Sequence, residues 1–341
     1  MKPLRLPVCV AAAALLAIAL PLAGCGEKSE DVSAEAQPLS LMLDFYPNPD
    51  HAGIYMAEKL GYFRDAGLDV SIHTPSDPAA PIKQVAAGRT DLAISYEPEV
   101  LLADAKGLEV VSVAALVNRP LTSMIWLKKS GIGGVAGLRG KTIATAGIPY
   151  QASYLKTILA RANLAPSDVK SVNVGYGLLP ALVGGSADAM LGGFLNVEGV
   201  DLKLRGKAPV VTPVDKLGVP TYDELVLVAR REELEEDPQA IRLFIAALAR
   251  GTAAAANSPA ATTKALLEAN SDLDPKLTRA EVEATLPLLA PKSSQERPFG
   301  YMDPGRWREF IGWMRDNGLI ASSPATTDVL SNDYLPGTIP K

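Results

Sequence analysis

Residues 85–97 read VAAGRTDLAISYE, and residues 182–198 read LVGGSADAMLGGFLNVE. Each stretch has the pattern of a helix end, a glycine stop, a Gly-x-x-Asp turn, an apolar strand, and then an aromatic residue and a carboxylate. Glycine ends helices because it adopts the left-handed conformation without a steric penalty. The recurrence predicts two lobes of similar design, although Gly-x-x-Asp is a common sequence and a chance repeat is the alternative.

Short apolar runs alternate with helical stretches on both sides of this repeat. Strands are predicted at residues 39–43, 68–72, 92–95, 110–116, 142–145, 169–174, 189–191 and 224–229, with helices at 81–87, 98–105, 151–162 and 178–183. The last third is predicted to be helical, at 238–257, 259–270, 279–289 and 304–317, with proline opening several helices. A β-α-β-α order is typical of a mostly parallel sheet with helices on both faces, so the predicted fold class is α/β.

The first residues of the chain predict an export signal. Lys2 and Arg5 precede an apolar run over residues 8–22, which is shorter than the ~20 residues that a membrane-spanning helix needs. Residues 22–25, LAGC, resemble a bacterial lipoprotein cleavage site. That resemblance implies a signal peptide over residues 1–24 and a lipid on Cys25 that anchors the chain at the extracytoplasmic face of the cell membrane. An ordinary secretory signal and an uncleaved anchor are the alternatives.

Composition narrows the function of the rest of the chain. Residues 25–38 are polar and acidic without apolar periodicity, which predicts a flexible tether. The two cysteines, Cys9 and Cys25, both lie in the N-terminal segment, so the body has no thiol for a disulfide, a metal site or nucleophilic catalysis. The net charge is -5 and no stripe of Lys and Arg occurs, which argues against a nucleic-acid partner.

The candidate site follows from a rule about open α/β sheets, which bind ligands in the crevice beyond the carboxyl ends of their strands. The residues that follow the predicted strands are rich in tyrosine, asparagine and carboxylates. The ligand-binding candidates are Asp44, Tyr46, Asn48, His51, Tyr96, Glu97, Tyr150, Tyr176, Asn196 and Glu198. Aromatic rings suit a planar heterocycle, at ~0.5–1.5 kcal/mol per stacked pair, and a carboxylate suits an amino edge, at ~1.5–3 kcal/mol. These residue types predict an amino-bearing aromatic ring as the ligand, and no catalytic residue, metal or cofactor.

Several candidates also have a second interpretation. Glu198 could bind the amino edge of a ring, or it could be a solvated glutamate favoured by a helix dipole. Asn48 could contact the ligand or hold the Pro-Asn-Pro turn. His51 could face the ligand or cap the following helix, and Glu97 could pair with a ligand or with a backbone amide. Each tyrosine could stack on the ring or belong to ordinary packing.

Residues 44–55, DFYPNPDHAGIY, resemble the D-W-x-P-N-x-x-H-x-G-x-Y segment of thiamine-pyrimidine-binding proteins. The similarity covers about residues 40–230 well and the helical end loosely. It implies the two-lobed periplasmic-binding-protein fold of the type with two hinge crossings. It also implies a monomer that delivers a small heterocyclic solute to the permease and ATPase subunits of an ABC importer.

The same resemblance implies a division of the chain into lobes. Lobe one would take residues 39–121 and return over 226–341, and lobe two would take 122–225. Residues 124–127 and 224–229 would be the strands that cross the hinge. Ligand binding would then close the lobes into the state that the permease recognises.

Departures from the family pattern leave alternatives open. The family resemblance makes a hydroxymethyl- or formylaminopyrimidine the expected ligand. Phe45 stands where the family usually carries tryptophan, which leaves less ring surface, so riboflavin, another heterocycle or a sulfonate stay open as alternatives. Fungal enzymes that build the thiamine pyrimidine share this fold and the histidine of the first segment, but they carry a Cys-rich motif and a lysine for pyridoxal phosphate. Because no cysteine follows Cys25, that chemistry is not expected. The alternative of another class is an exported pyrimidine-processing enzyme that uses Asp44 and His51 as an acid/base pair.

Overall fold

The computed structural model describes residues 36–289 and 297–337. The strands in these residues are β1 (Gln37–Met42), β2 (Leu68–His73), β3 (Leu92–Ser95), β4 (Val110–Val117), β5 (Thr122–Leu127), β6 (Thr142–Thr145), β7 (Lys170–Asn173), β8 (Ala189–Phe194), β9 (Pro209–Pro213) and β10 (Leu225–Arg230). They form two five-stranded sheets with the orders β2-β1-β3-β10-β4 and β7-β6-β8-β5-β9. We call these the first and the second sheet.

The two sheets share one plan. Three strands at one edge of each sheet are parallel to one another. The fourth strand, β10 in the first sheet and β5 in the second, runs antiparallel to both of its neighbours. The prediction of mostly parallel sheets therefore needs one correction in each sheet. The reversed strand is the one that arrives from the other sheet, so it starts at the end where the parallel strands finish.

Helices cover the sheets and fill the C-terminal third. They are α1 (Ala52–Lys59), α2 (Tyr62–Asp65), α3 (Pro81–Ala86), α4 (Glu97–Asp104), α5 (Gln151–Ala160), α6 (Leu178–Gly184), α7 (Glu198–Leu204), α8 (Arg231–Glu236), α9 (Pro238–Asn257), α10 (Pro259–Ala269), α11 (Pro275–Leu289), α12 (Pro304–Asp316) and α13 (Thr326–Val329). None of the helices in the described residues is both long enough and apolar enough to cross a membrane.

The sequence repeat corresponds to a structural repeat. Asp91 precedes β3 and accepts a hydrogen bond from the backbone N–H of Ser40 in β1, at 2.6 Å. Asp188 precedes β8 and accepts one from the backbone N–H of Thr142 in β6, at 2.9 Å. The glycine after each preceding helix has a positive φ, 64° in one case and 78° in the other. Each aspartate thus ties the start of its own strand to the neighbouring strand, at the same point of each sheet.

The chain passes between the sheets twice, and one carboxylate joins the two passages. Glu224 precedes β10 and accepts hydrogen bonds from the backbone N–H groups of Leu121 and Thr122, both at 2.7 Å. It also accepts from the Thr122 hydroxyl at 2.8 Å and from the Tyr222 hydroxyl at 3.0 Å. The strands expected to cross the hinge each pair within a single sheet. The crossings themselves are the segments 118–121 and 214–224.

The C-terminal helices pack mainly against α1 and the first sheet. Helices α1 and α9 approach so closely that a Cβ atom on Gly251 would clash with the carbonyl oxygen of Gly53. Phe63 in α2 and Phe244 in α9 stack with their ring centroids 5.0 Å apart. Helix α11 also contacts α7, which connects strands β8 and β9 of the second sheet. The helical end of the chain therefore touches both halves of the fold.

Most differences from the sequence prediction lie at element ends. Strand β1 begins at Gln37, so the last two residues of the predicted tether, 25–38, are part of the first sheet. Strand β8 continues to Phe194, three residues beyond its predicted end. Helix α7 and strand β9 were not predicted. The predicted signal peptide at 1–24, the lipid on Cys25 and most of the tether lie outside the described residues.

Candidate ligand-binding cavity

A cavity of about 490 Å³ lies where the carboxyl ends of strands from both sheets meet. Its lining is made of Asp44, Phe45, Asn48, Pro78, Tyr96, Thr122, Ala146, Ile148, Tyr150, Gln151, Leu178, Gly192, Phe194, Val197 and Glu198. No lysine or arginine is among these residues. Five of the ten candidate residues belong to this lining.

Asp44 is held in place on the first-sheet side of the cavity. Its Oδ1 lies 2.8 Å from His51 Nε2, and its Oδ2 accepts a hydrogen bond from the Tyr96 hydroxyl at 2.8 Å. His51 Nδ1 faces the backbone N–H of Asn48 at 3.3 Å, so Nδ1 is the acceptor and Nε2 carries the hydrogen that Asp44 accepts. His51 is fully buried and does not line the cavity. It orients Asp44 instead of facing the ligand.

The turn between β1 and α1 is built around Asn48. The side-chain oxygen of Asn48 accepts from the backbone N–H of Asp50 at 2.8 Å, and its amide donates to the Tyr46 carbonyl at 3.0 Å. This capping arrangement starts the short helical turn Pro49–His51. Asn48 also lines the cavity, so both roles considered for it are compatible with its position.

Glu198 enters the cavity from the second-sheet side. It is the first residue of α7, and its Oε2 accepts from the backbone N–H of Phe194 at 2.7 Å. Burial raises the pKa of Glu198 from 4.5 to about 7, although the hydrogen bond from Phe194 opposes that rise. A neutral or a charged carboxyl is therefore accessible near neutral pH, and a hydrogen-bond donor on a ligand would favour the charged form.

Aromatic rings surround the space between Asp44 and Glu198. Tyr96 and Tyr150 line the cavity, with ring centroids 6.2 Å apart and an interplanar angle of 70°. Phe45 and Phe194 also line it. Such walls favour a flat ring, because aromatic faces and edges both offer apolar contact.

Tyr46 and Tyr176 do not line this cavity, but they lie beside it. The Phe45 ring contacts both, at centroid distances of 4.3 Å to Tyr46 and 4.4 Å to Tyr176. The Tyr176 hydroxyl donates to the Pro75 carbonyl at 3.3 Å. Because Tyr176 follows a strand of the second sheet and Phe45 a strand of the first, these contacts bridge the two halves of the fold.

Glu97 and Asn196 are also outside the lining. Glu97 is fully buried and accepts from the backbone N–H of Asp223 at 2.7 Å, which is the alternative role considered for it. Asn196 donates to Asp50 Oδ1 and to Thr285 Oγ1, both at 2.8 Å. Glu97 thus contacts the second crossing segment, and Asn196 links the turn before α1 to α11.

The sequence candidates missed several lining residues, of which Gln151 and Gly192 are informative. Gln151 Oε1 accepts from the backbone N–H of Ala146 at 3.0 Å. Gly192 has a φ of 114°, and a Cβ atom there would clash with the Gln151 amide. The double glycine at 192–193, inside an apolar strand, is the signal that could have identified this close approach.

Comparison with known proteins gives concordant results. Residues 48–262 match the family model described as NMT1/THI5 like. The chain is 35% identical over 290 residues to a Haemophilus influenzae protein whose name refers to thiamine biosynthesis, covering 85% of this chain and 90% of the relative. It is 35% identical over 320 residues to the formylaminopyrimidine-binding protein of Halalkalibacterium halodurans, covering 93% of this chain and 96% of the relative. A 4-amino-5-hydroxymethyl-2-methylpyrimidine phosphate synthase of Legionella pneumophila is 26% identical, covering 74% of this chain and 80% of the relative.

Among solved structures, the alkanesulfonate-binding protein SsuA from Xanthomonas axonopodis superposes with a TM-score of 0.68. The match covers 87% of this chain and 99% of that chain at 16% identity. At that identity the likeness shows a shared fold. The two-lobed α/β fold of periplasmic binding proteins expected from the sequence is thereby confirmed.

Proposed function

The chain belongs to the NMT1/THI5-like family, and we propose that it is an extracytoplasmic solute-binding lipoprotein of an ABC importer. Its ligand is a thiamine-precursor aminopyrimidine of the hydroxymethyl or formylamino type, bound between the two lobes. The relative from Halalkalibacterium halodurans, which is named as a formylaminopyrimidine-binding protein, supports this ligand class.

The observation that carries the proposal is a pair of carboxylates that enter one cavity from opposite halves of the fold. Asp44 comes from the first-sheet side and Glu198 from the second-sheet side, with aromatic rings between them. A flat ring with amino groups can therefore be held by stacking and by charge-assisted hydrogen bonds at the same time. Each such hydrogen bond stabilises the complex by about 1.5–3 kcal/mol.

Ligand binding would change the arrangement of the two lobes, and the permease would recognise that change. We assign residues 39–121 and 226–341 to lobe one and residues 122–225 to lobe two. A ligand that bonds to Asp44 and Glu198 bridges the two lobes and favours the closed arrangement. The permease would then distinguish the loaded protein from the empty one by its closed shape.

The lipid on Cys25 and the tether that follows it complete the proposal. A binder held by a short tether stays at a high local concentration near its importer. This part of the proposal rests on the sequence of residues 1–38.

The enzyme alternative finds less support in the geometry. Asp44 and His51 do form a pair at 2.8 Å, but both ring nitrogens of His51 are engaged and the ring is shielded from the cavity. A general base must reach the proton that it abstracts, and His51 is outside the lining that Asp44 and Tyr96 belong to. The Legionella relative is nevertheless named as a synthase, so turnover belongs in the test.

Isothermal titration calorimetry on the purified chain tests the proposal. The panel contains hydroxymethyl- and formylaminomethyl-pyrimidines, riboflavin, taurine and an alkanesulfonate, and the pyrimidine recovered after binding is analysed by mass spectrometry. We expect saturable binding of the pyrimidines and their recovery unchanged. Binding of a sulfonate without a pyrimidine would overturn the ligand assignment, and a chemically altered pyrimidine would replace the binding role by an enzymatic one.

A further inference from the structure

A second cavity, of about 750 Å³, adjoins the first and shares Asn48, Val197 and Glu198 with it. The remaining lining comes from Tyr46, Tyr176, Leu179, Pro180, Asp201, Leu273, Asp274, Leu277, Thr278 and Glu281. Helix α7 forms one wall and the start of α11 the other. A substituent on a ring in the first cavity would enter the second one beside Glu198.

The lining of the second cavity is strongly acidic. It contains the carboxylates of Glu198, Asp201, Asp274 and Glu281 and no lysine or arginine. Asp201 is paired with Arg205 one turn along α7. Asp274 Oδ1 accepts the backbone N–H of Leu277 at 2.8 Å, which caps the start of α11. Glu198 accepts from the backbone N–H of Phe194, so three of the four carboxylates have local partners.

Glu281 is the exception among these side chains. It is only 5% exposed, and within the described part of the chain it makes no hydrogen bond or ion pair. A buried carboxylate without a partner is costly, so such groups usually have a partner or become neutral. Burial, and after it the charges of Glu198, Asp201 and Asp50, raise the pKa of Glu281 from 4.5 to about 9. The structure thus places a carboxylate with no protein donor among the described residues at the wall of the second cavity.

We propose that the second cavity receives a positively charged substituent of the ligand, a primary ammonium, which pairs with Glu281 while the aminopyrimidine ring occupies the first cavity and contacts Glu198. This inference rests on the proposed function and adds to its ligand class aminopyrimidines with a cationic arm, such as an aminomethyl group. A ligand with a phosphate on the same arm is excluded, because it would place like charges together.

Proton exchange follows from this pairing. At neutral pH the unliganded Glu281 carries a proton, and an ammonium beside it favours the ionised form, so binding releases that proton. The affinity for the cationic arm therefore rises with pH toward the unliganded Glu281 pKa of about 9, as long as the primary ammonium itself stays charged. Glu198 and Asp201 from α7 and Asp50 from the turn before α1 are the acidic groups that act on Glu281, and Arg205 is held by Asp201.

The experiment compares two ligands that differ only in the arm, the aminomethyl and the hydroxymethyl derivatives of 4-amino-2-methylpyrimidine. Titration calorimetry in buffers of different ionisation enthalpy gives both the affinity and the number of protons released. We expect the wild-type chain to bind the aminomethyl compound at least about tenfold more tightly and to release more protons with it. Glu198 affects both compounds alike, so the difference between them reports on Glu281.

Glu281→Gln removes the charge and keeps the size of the side chain, and Glu283→Gln is the matched control, since Glu283 is exposed on the same helix. We expect Glu281→Gln to abolish the preference and the extra proton release while the hydroxymethyl affinity is unchanged, and Glu283→Gln to behave as the wild type. Equal wild-type affinities for the two arms, or an equal loss of both in Glu281→Gln, would overturn the inference and leave the proposed function intact. If neither pyrimidine binds the wild type, it is the proposed function that fails.

Discussion

The two sheets place a glutamate at the same point of the same pattern, yet the two side chains have different surroundings. Glu97 follows β3, is fully buried, and accepts the backbone N–H of Asp223 in the second crossing segment. Glu198 follows β8 and lines the cavity, with one oxygen bonded to the backbone N–H of Phe194. One copy of the pattern supports the hinge, and the other faces the ligand space.

The spacing of the two copies explains this difference. Glu97 stands six residues after Asp91, whereas Glu198 stands ten residues after Asp188. The extra residues extend β8 and include Gly192, whose missing Cβ leaves room for the Gln151 amide. A repeat in sequence therefore predicts where the strands and helices lie, but a few inserted residues decide which copy meets the ligand.

The largest expected effect is the loss of unfolding free energy on replacing Glu224, which joins the two crossing segments. Glu224→Ala leaves two buried backbone N–H groups and the Thr122 hydroxyl without their acceptor. Each unsatisfied buried donor costs about 1–3 kcal/mol, so the free energy of unfolding should fall by about 3 kcal/mol or more. Denaturant unfolding followed by circular dichroism measures this change.

Glu235→Ala is the matched control for that measurement, because Glu235 is exposed in the helix that follows β10. Its effect should stay within about 0.5 kcal/mol. If Glu224→Ala lowers the free energy of unfolding no more than this control, Glu224 does not join the two crossing segments. The contrast between Glu97, which contacts a crossing segment, and Glu198, which lines the cavity, then loses its structural basis.

The next effect separates the two glutamates directly. Glu198→Ala should weaken aminopyrimidine binding by about ten- to a hundredfold, the equivalent of one charge-assisted hydrogen bond. It should lower the free energy of unfolding by about 1 kcal/mol or less, because the Phe194 N–H that loses its acceptor is only partly buried. Glu97→Ala should lower the free energy of unfolding by about 1–3 kcal/mol, because the Asp223 N–H loses its acceptor, while the folded protein keeps its affinity. Calorimetric titration gives the affinity of each variant, and denaturant unfolding gives its free energy of unfolding. An equal loss of affinity in Glu97→Ala and Glu198→Ala would contradict the different roles of the two glutamates.

The smallest effect tests the repeat itself. Asp91 accepts from both the backbone N–H and the hydroxyl of Ser40, whereas Asp188 accepts from the backbone N–H of Thr142. We expect Asp91→Ala to cost about 2 kcal/mol and Asp188→Ala about 1 kcal/mol in unfolding free energy. Thermal unfolding of the two variants checks the order, and the opposite order would show that the two turns are not equivalent.

Much of the fold could be predicted from sequence because it depends on local patterns. The run at 92–95 is a strand with the predicted bounds, and so is 142–145, since short apolar runs between glycine and aspartate turns leave few other choices. The reversed directions of β5 and β10 could not be predicted locally. Each of these directions depends on the end at which the chain enters the sheet, and that end is set by the crossing from the other sheet, not by the residues of the strand.

The site was predictable only in part, for a related reason. The rule about strand ends placed Asp44 and Glu198 near each other, and they do enter one cavity. It could not distinguish Glu97, because a residue one position into a helix may turn toward the sheet, the hinge or the ligand space according to its neighbours. It also missed Gln151, whose position is fixed by contact with Gly192. Which of these residues contact the ligand stays a prediction until binding is measured.

The hydrogen bonds that join the two halves of the fold beside the cavity have a consequence for the escape of a ligand. The Tyr176 hydroxyl meets the Pro75 carbonyl, and Asn196 holds both Asp50 and Thr285. A ligand enclosed behind these contacts leaves only when the contacts break, so its residence time is set by how often the lobes part. Under the proposed function, slow release favours delivery, because most of the ligand would leave only when the permease separates the lobes.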